Sequence, residues 1–219
     1  MTNLFDMKSF DINIDQGSLV SLILILLVFV PMLLCVAFMT IIERKAMGSM
    51  QRRIGPNVVG YYGVLQPFAD ALKCVVKEQI IPAQSNKALF FLAPMISLVF
   101  SLLGWATIPF GSGMAICDYS LGIMFSLAVS SIGVYGALFA GWAANSKYAF
   151  LGSLRSTAQM VSYELIFSTC VAAVILLAGS LNFTTIVEAQ TSIWFIVPLF
   201  PLFIMYLISA LAELNRTPF

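Results

Sequence analysis

The chain has 219 residues, of which 60% are apolar and only 10% charged, with a formal net charge of +1 and a mean hydropathy of +0.97. Soluble domains carry roughly 25% charged residues, so this composition excludes a secreted disulfide domain, a disordered chain and a nucleic-acid binder. Histidine is absent, and the four cysteines, Cys35, Cys74, Cys117 and Cys170, form no CxxC pair. The chain by itself therefore offers no ligand set for a His-bound metal or an iron–sulfur cluster, and no Ser–His or Cys–His nucleophile pair.

A bilayer core of about 30 Å needs about 20 helical residues. In chain order, the stretches poor in charge predict spans near 18–42, 88–110, 120–144, 156–178 and 192–212, an all-α integral membrane protein forming one membrane domain over 1–219. Between the first two spans, Gly55-Pro56-Asn57 signals a turn. Residues 64–81 then place Leu65, Phe68, Leu72, Val75, Val76 and Ile80 on one helical face, with Asp70, Lys73 and Lys77 opposite. That segment is too charged to span and predicts an amphipathic helix lying in the interface. Pro67 suits its first turn.

Five spans put the termini on opposite sides. The 43–87 connection holds Arg44, Lys45, Arg52, Arg53, Lys73, Lys77 and Lys87; the 145–155 connection holds Lys147 and Arg155; the tail holds Arg216. Ten of the eleven bases thus share one side and only Lys8 lies opposite, with Asp6, Asp11, Asp15, Asp118 and Glu188. By the positive-inside rule the basic side is cytoplasmic or matrix, so the N-terminus faces out and Phe219 faces in. Residues 1–17 carry three acids and one base, unlike an Arg-rich presequence. The expectation is a chain made in the compartment from which it inserts, in a bacterium or an organelle with its own genome.

Function is expected on the basic side, because the outer connections lack comparable polar content. Glu43 and Glu213 end the first and fifth spans, and Glu164 lies about eight residues, roughly 12 Å, into the fourth. An ionisable residue inside a span is costly and marks a functional candidate. Burial raises a carboxylate's pKa and a nearby Arg lowers it, which is what a proton relay or charge-coupled switch requires. Plainer readings stand beside this one. Glu43, Arg44 and Lys45 also fit an interfacial charge cluster, Arg52 and Arg53 fit topology or headgroup contacts, and Asp70 and Lys73 have the spacing of a surface pair.

Three segments carry the reading further: ERKAMGSMQRRIGPNVVGYYGVLQPFADALKCVVKE (Glu43–Glu78), GWAANSKYAFLGSLRSTAQMVSYE (Gly141–Glu164) and AELNRTPF (Ala212–Phe219). They closely resemble subunit 1 of respiratory complex I, the proton-pumping NADH:ubiquinone oxidoreductase. The resemblance implies a core membrane subunit in the mitochondrial inner membrane, or alternatively a bacterial plasma membrane, with ubiquinone as substrate in a shared chamber. NADH, FMN and iron–sulfur clusters would be held only by partner subunits, so no catalytic or metal-ligating residue is expected here. It further implies Arg44, Arg53 and Gln51 at the quinone chamber and subunit junction. Glu43, Asp70, Glu78, Arg155, Tyr163, Glu164, Glu213 and Arg216 would form the polar network linking quinone reduction to proton translocation. Ile54 departs from the family, where a Lys or Arg is common, while Arg52 supplies a base two positions earlier. The implied partners are the quinone-site hydrophilic subunits, the neighbouring membrane-arm subunits and the lipid bilayer. In the family, Asn-Arg-x-Pro-Phe leads into an acidic loop and further spans, so a split gene is expected, with a second polypeptide carrying that part and docking on the fifth span. Competing readings are the equivalent subunit of a membrane-bound hydrogenase, a scaffold without coupling role, and a stand-alone transporter; an odd, repeat-free span number argues against the last.

Overall fold

A computed structural model describes residues 17–111 and 115–214. Among them there are seven α-helices and no strand, so the chain is an all-α integral membrane protein. Four helices are long and apolar enough to cross a membrane. The acidic N-terminal stretch and Arg216 lie outside the described residues.

The chain divides into two units, 1–79 and 80–219. In the first, α1 (Gly17–Met50) runs 34 residues with Pro31 inside, about 51 Å at 1.5 Å per residue. It overshoots the expected end at 42 by eight residues. Glu43, Arg44 and Lys45 are therefore helical rather than part of a loop, because nothing from Thr40 to Met50 breaks the helix except Gly48, which is tolerated. The end is closed by the reciprocal pattern of a left-handed cap: the Arg53 amide donates to the Gly48 carbonyl at 2.9 Å and the Arg52 amide to Ser49 at 3.1 Å, with Arg52 at φ 54°. A non-glycine residue there costs about 1 kcal/mol. Arg52→Gly should accordingly raise the thermal unfolding midpoint, whereas Arg52→Val should lower it.

The chain next makes the predicted turn at 55–57 and a short 3-10 turn, Tyr61–Gly63, where Gly63 has φ 75°. A Cβ on Gly63 would stand 2.3 Å from the Pro56 carbonyl oxygen, so only glycine fits. The amphipathic helix follows as α2 (Gln66–Val76), with Pro67 in its first turn. It stops short of 81. Val75, Val76, Ile80 and Ile81 are β-branched, Pro82 disfavours helix at Ile81, and Lys77 is already extended. Phe68 packs edge-on against Phe38 of α1 at 6.1 Å, while Leu72, Val75 and Val76 stay exposed along the apolar face.

In the second unit, α3 (Lys87–Leu103) is prolonged by a 3-10 turn, Gly104–Thr107. It packs on α4 (Gly122–Ala143), which also packs on α5 (Lys147–Ala178); α5 in turn packs on α7 (Phe200–Glu213) and touches α6 (Phe183–Ala189). Small residues make these approaches close. Ala93, Ala212 and Ser209 are all at most 1% exposed. Two elements depart from expectation. The 145–155 connection is mostly helix: α5 starts at Lys147, so the link from α4 is only Ala144, Asn145 and Ser146, with Asn145 taking a left-handed φ of 49° that asparagine tolerates. The last helix is only 14 residues long, because Pro198 and Pro201 hold the preceding 194–199 in successive turns. At about 21 Å, α7 alone is shorter than the hydrocarbon core.

Candidate functional site

Two polar clusters coincide with the sequence candidates, one in each unit. In the first unit, helical spacing along α1 and α2 brings Arg44 to Asp70. Arg44 Nη1 lies 2.6 Å from Asp70 Oδ2, and Gln66 Nε2 donates to Asp70 Oδ1 at 3.0 Å. Asp70 therefore pairs with Arg44 rather than with Lys73, three residues along the same helix, which acts on it only through space. The Arg44 hydrogen bond, aided by Gln66 and by the charges of Arg44 and Lys73, holds the Asp70 carboxyl below the usual aspartate range.

The lowered value makes the pairing pH-dependent with a definite sign. Its stabilisation is fully present above the ordinary aspartate pKa and is lost as pH falls through the lowered folded value. Spin labels at the exposed positions Ala46 and Lys77 should keep a narrow distance distribution down to the acid edge of the carboxylate range and broaden below it. In Asp70→Asn the distribution should be broad already at neutral pH.

Beside Arg44 the chain end of α1 forms an open cleft of about 760 Å3, lined by Arg44, Arg53, Gln66, Ile54, Pro56 and Val58. Guanidinium and amide donors thus stand beside apolar walls, a donor set that suits the carbonyl oxygens and apolar body of a lipophilic ring. Arg53 Nε donates to Gln51 Oε1 at 2.7 Å, so these two predicted residues meet. Lys45 Nζ donates to the Tyr62 carbonyl at 2.5 Å. Glu43 is half-buried one residue before Arg44, and Glu78 is exposed beyond α2, outside the Arg44–Asp70 pair.

In the second unit the focus is Glu164. With α5 starting at Lys147, Glu164 is seventeen residues, about 26 Å, from the helix start. It is half-buried, and its Oε1 accepts from Ser131 Oγ at 2.6 Å and Ser130 Oγ at 2.9 Å, both on α4. From α7, half-buried Glu213 is near enough for the two carboxylates to repel. Next to Glu213, the Ala212 carbonyl accepts from Gln159 Nε2 at 2.9 Å, tying α7 to α5. Tyr163 is half-buried beside Glu164. Arg155 is not part of this group: nine residues at 100° each set it on the opposite face of α5, where it is exposed.

The 111–119 and 179–191 connections also hold more than expected. Asp118 Oδ1 accepts from Asn182 Nδ2 at 2.8 Å, while Asn182 Oδ1 accepts from the Thr184 amide at 2.7 Å and so caps α6. Asp118 thereby ties the segment before α4 to the start of α6. Asn182 followed two residues later by Thr184 was the available signal.

A family model described as NADH dehydrogenase matches residues 23–219, which include all three motif segments and both clusters. The chain belongs to the NADH dehydrogenase family. Among its curated relatives, NADH-ubiquinone oxidoreductase chain 1 of Mycosarcoma maydis is 71% identical over 201 residues, covering 92% of this chain and 61% of the relative. The same-named chain of Chondrus crispus is 55% identical over 198 residues, 90% of this chain and 61% of the relative. An NADH-quinone oxidoreductase subunit of Rhodospirillum centenum is 55% identical over 195 residues, 89% of this chain and 58% of the relative. This member of the NADH dehydrogenase family thus spans about three-fifths of the length of those relatives.

Proposed function

We propose that this chain acts as a core membrane subunit of a proton-translocating NADH:ubiquinone oxidoreductase in the mitochondrial inner membrane. It contributes part of the quinone chamber and the polar link from quinone reduction to proton translocation. The observation that carries the reading is the 71% identity, over 92% of this chain, to a protein named NADH-ubiquinone oxidoreductase chain 1. The two clusters supply chemistry consistent with it. Quinone reduction consumes two electrons and two protons, so charge changes at the chamber, and fixed guanidiniums and part-buried carboxylates are the groups that respond to such a change.

In this reading Arg44, Arg53 and Gln51 border the chamber. The Arg44 guanidinium is shared between Asp70 and any acceptor entering the cleft, so a quinone oxygen drawing on Arg44 weakens the pair and releases charge on Asp70. Glu43, Asp70, Glu78, Tyr163, Glu164, Glu213 and Arg216 carry the response onward, while Arg155, on the opposite face of α5 from Glu164, acts apart from that carboxylate. Glu164 and Glu213 place two like charges on the facing helices α5 and α7, so a change of charge on Glu164 is felt at Glu213. Electrons arrive from NADH through FMN and iron–sulfur centres held by hydrophilic partner subunits, and neighbouring membrane-arm subunits complete the proton path. The basic side faces the matrix and the N-terminus the intermembrane space.

The test is isolation of the tagged chain from its own membranes in mild detergent. NADH-driven quinone reduction, blocked by quinone-site inhibitors, should co-purify with it. Co-purification of hydrogen-evolving activity without quinone reduction would favour the hydrogenase relative, and neither activity would favour a scaffold.

A further inference from the structure

We propose that Ser130 and Ser131 are positioning residues that hold Glu164 in both of its charge states, through hydroxyl protons that turn between two acceptors. The proposal rests on the reading of Glu164 as a coupling carboxylate. Its geometric basis is a shared pair of acceptors. Ser130 Oγ lies 2.9 Å from the Leu127 carbonyl oxygen and 2.9 Å from Glu164 Oε1. Ser131 Oγ lies 2.9 Å from the same Leu127 oxygen and 2.6 Å from the same Glu164 oxygen. A hydroxyl has one proton to donate and two lone pairs to accept with, so neither serine can donate to both partners at once.

The two charge states use this choice differently. With Glu164 ionised, both hydroxyl protons point at Oε1, and charge-assisted bonds of this kind are the stronger sort. When Glu164 takes a proton from a hydronium ion, leaving water, its own O–H becomes a donor. It then gives to one serine oxygen, and that serine turns its proton back to the Leu127 carbonyl. The carboxyl gains the one O–H bond that hydronium loses, no other covalent bond changes, and no polar atom of the trio loses its partner. A carboxylate buried among apolar groups would face a large penalty in one charge state. Here neither state is left without hydrogen bonds, so the carboxyl can change charge without moving its helix.

The titratable groups on the helices packed against α5 are Tyr135 on α4, Tyr206 and Glu213 on α7, and Glu188 on α6. Of these, Glu213 is the one on which the Glu164 charge acts. None of the four replaces the serine donors at Oε1, whose hydrogen bonds come from Ser130 and Ser131.

The experiment is infrared difference spectroscopy on membranes containing the chain with its native partners, comparing acid and neutral pH. A protonated-carboxyl carbonyl stretch lost in Glu164→Gln belongs to Glu164. In Ser130→Ala/Ser131→Ala that band should shift to higher wavenumber, as for an acid without a hydrogen-bond partner. Each single Ala variant should shift it less, and Ser130→Thr/Ser131→Thr should restore the native position because the hydroxyls are kept. A band that stays in place in the double Ala variant, or that moves equally in the Thr variant, would overturn the proposal while leaving Glu164 as a titrating carboxylate. Absence of any band lost in Glu164→Gln would overturn the coupling reading of Glu164 and this proposal with it.

Discussion

Glu164→Gln is expected to lower NADH-driven proton translocation by about tenfold or more, a barrier change of about 1.4 kcal/mol. The substitution keeps the shape and the two serine contacts but removes the ability to change charge. Glutamine offers an oxygen to the Ser130 and Ser131 hydroxyls, so α4 and α5 should stay packed and the chain should accumulate normally. Its electrostatic effect on Glu213 disappears, because a neutral amide does not repel the second carboxylate. The measurement is the initial rate of NADH-driven proton translocation in coupled membrane vesicles, with the assembled complex quantified in parallel. A scaffold role predicts unchanged pumping at unchanged abundance. Glu164→Asp, which keeps the charge but shortens the reach to α4, should fall between the two.

The second large effect is structural. Gly141→Ala should destabilise the packing of α4 on α5 by about 1 to 3 kcal/mol, the usual scale of overpacking a tight contact. A Cβ at Gly141 would stand 2.0 Å from Ser153 Oγ, 2.2 Å from Ser153 Cβ and 2.9 Å from the Ala149 carbonyl oxygen. The nearest of these is a rotatable hydroxyl, but the other two are fixed to the α5 backbone, so the helices must part. Because Gly141 lies just before the three-residue link at 144–146, the displacement falls on the start of α5 and tilts the helix that carries Glu164. Loss of assembled complex on a native gel, with a lowered unfolding midpoint, checks this. Shrinking the opposing residue in Gly141→Ala/Ser153→Gly should recover part of the loss. A Gly141→Ala variant as stable as the native chain would refute the contact.

Much of this architecture was legible from spacing and charge, for identifiable reasons. Spans depend on apolar length, so the helices around 20–40, 88–103 and 122–143 follow from composition alone. The α2 segment was readable because its apolar residues recur at helical spacing while Asp70, Lys73 and Lys77 fall opposite. Helix ends were less readable. Charge marks where a span leaves the hydrocarbon, not where a helix stops, so α1 continues through Glu43, Arg44 and Lys45 and α5 begins at Lys147. Proline acts the other way at Pro198 and Pro201, where a run with no charge to interrupt it is nonetheless not one helix.

The candidate side chains show the same division. Glu164 stood out because a carboxylate within an apolar run is costly. Its partners did not, since serines in a membrane helix can satisfy their hydroxyls on their own turn, as Ser130 and Ser131 also do on Leu127. Asp70 had a plausible neighbour at Lys73, and only the return of the chain through 55–63 reveals Arg44 as the closer partner. Arg155 and Glu164 are near in sequence, yet the helical phase separates them.

Photolabelling of the native complex with a light-activated ubiquinone analogue, followed by mapping of the attached residues, tests most directly whether a quinone reaches the Arg44–Arg53 cleft. Cross-links are expected within 43–58, around the cleft bordered by Arg44 and Arg53, abolished by excess ubiquinone and weakened in Arg44→Ala. Specific labelling of the complex confined to other subunits, with this segment unmarked, would contradict it.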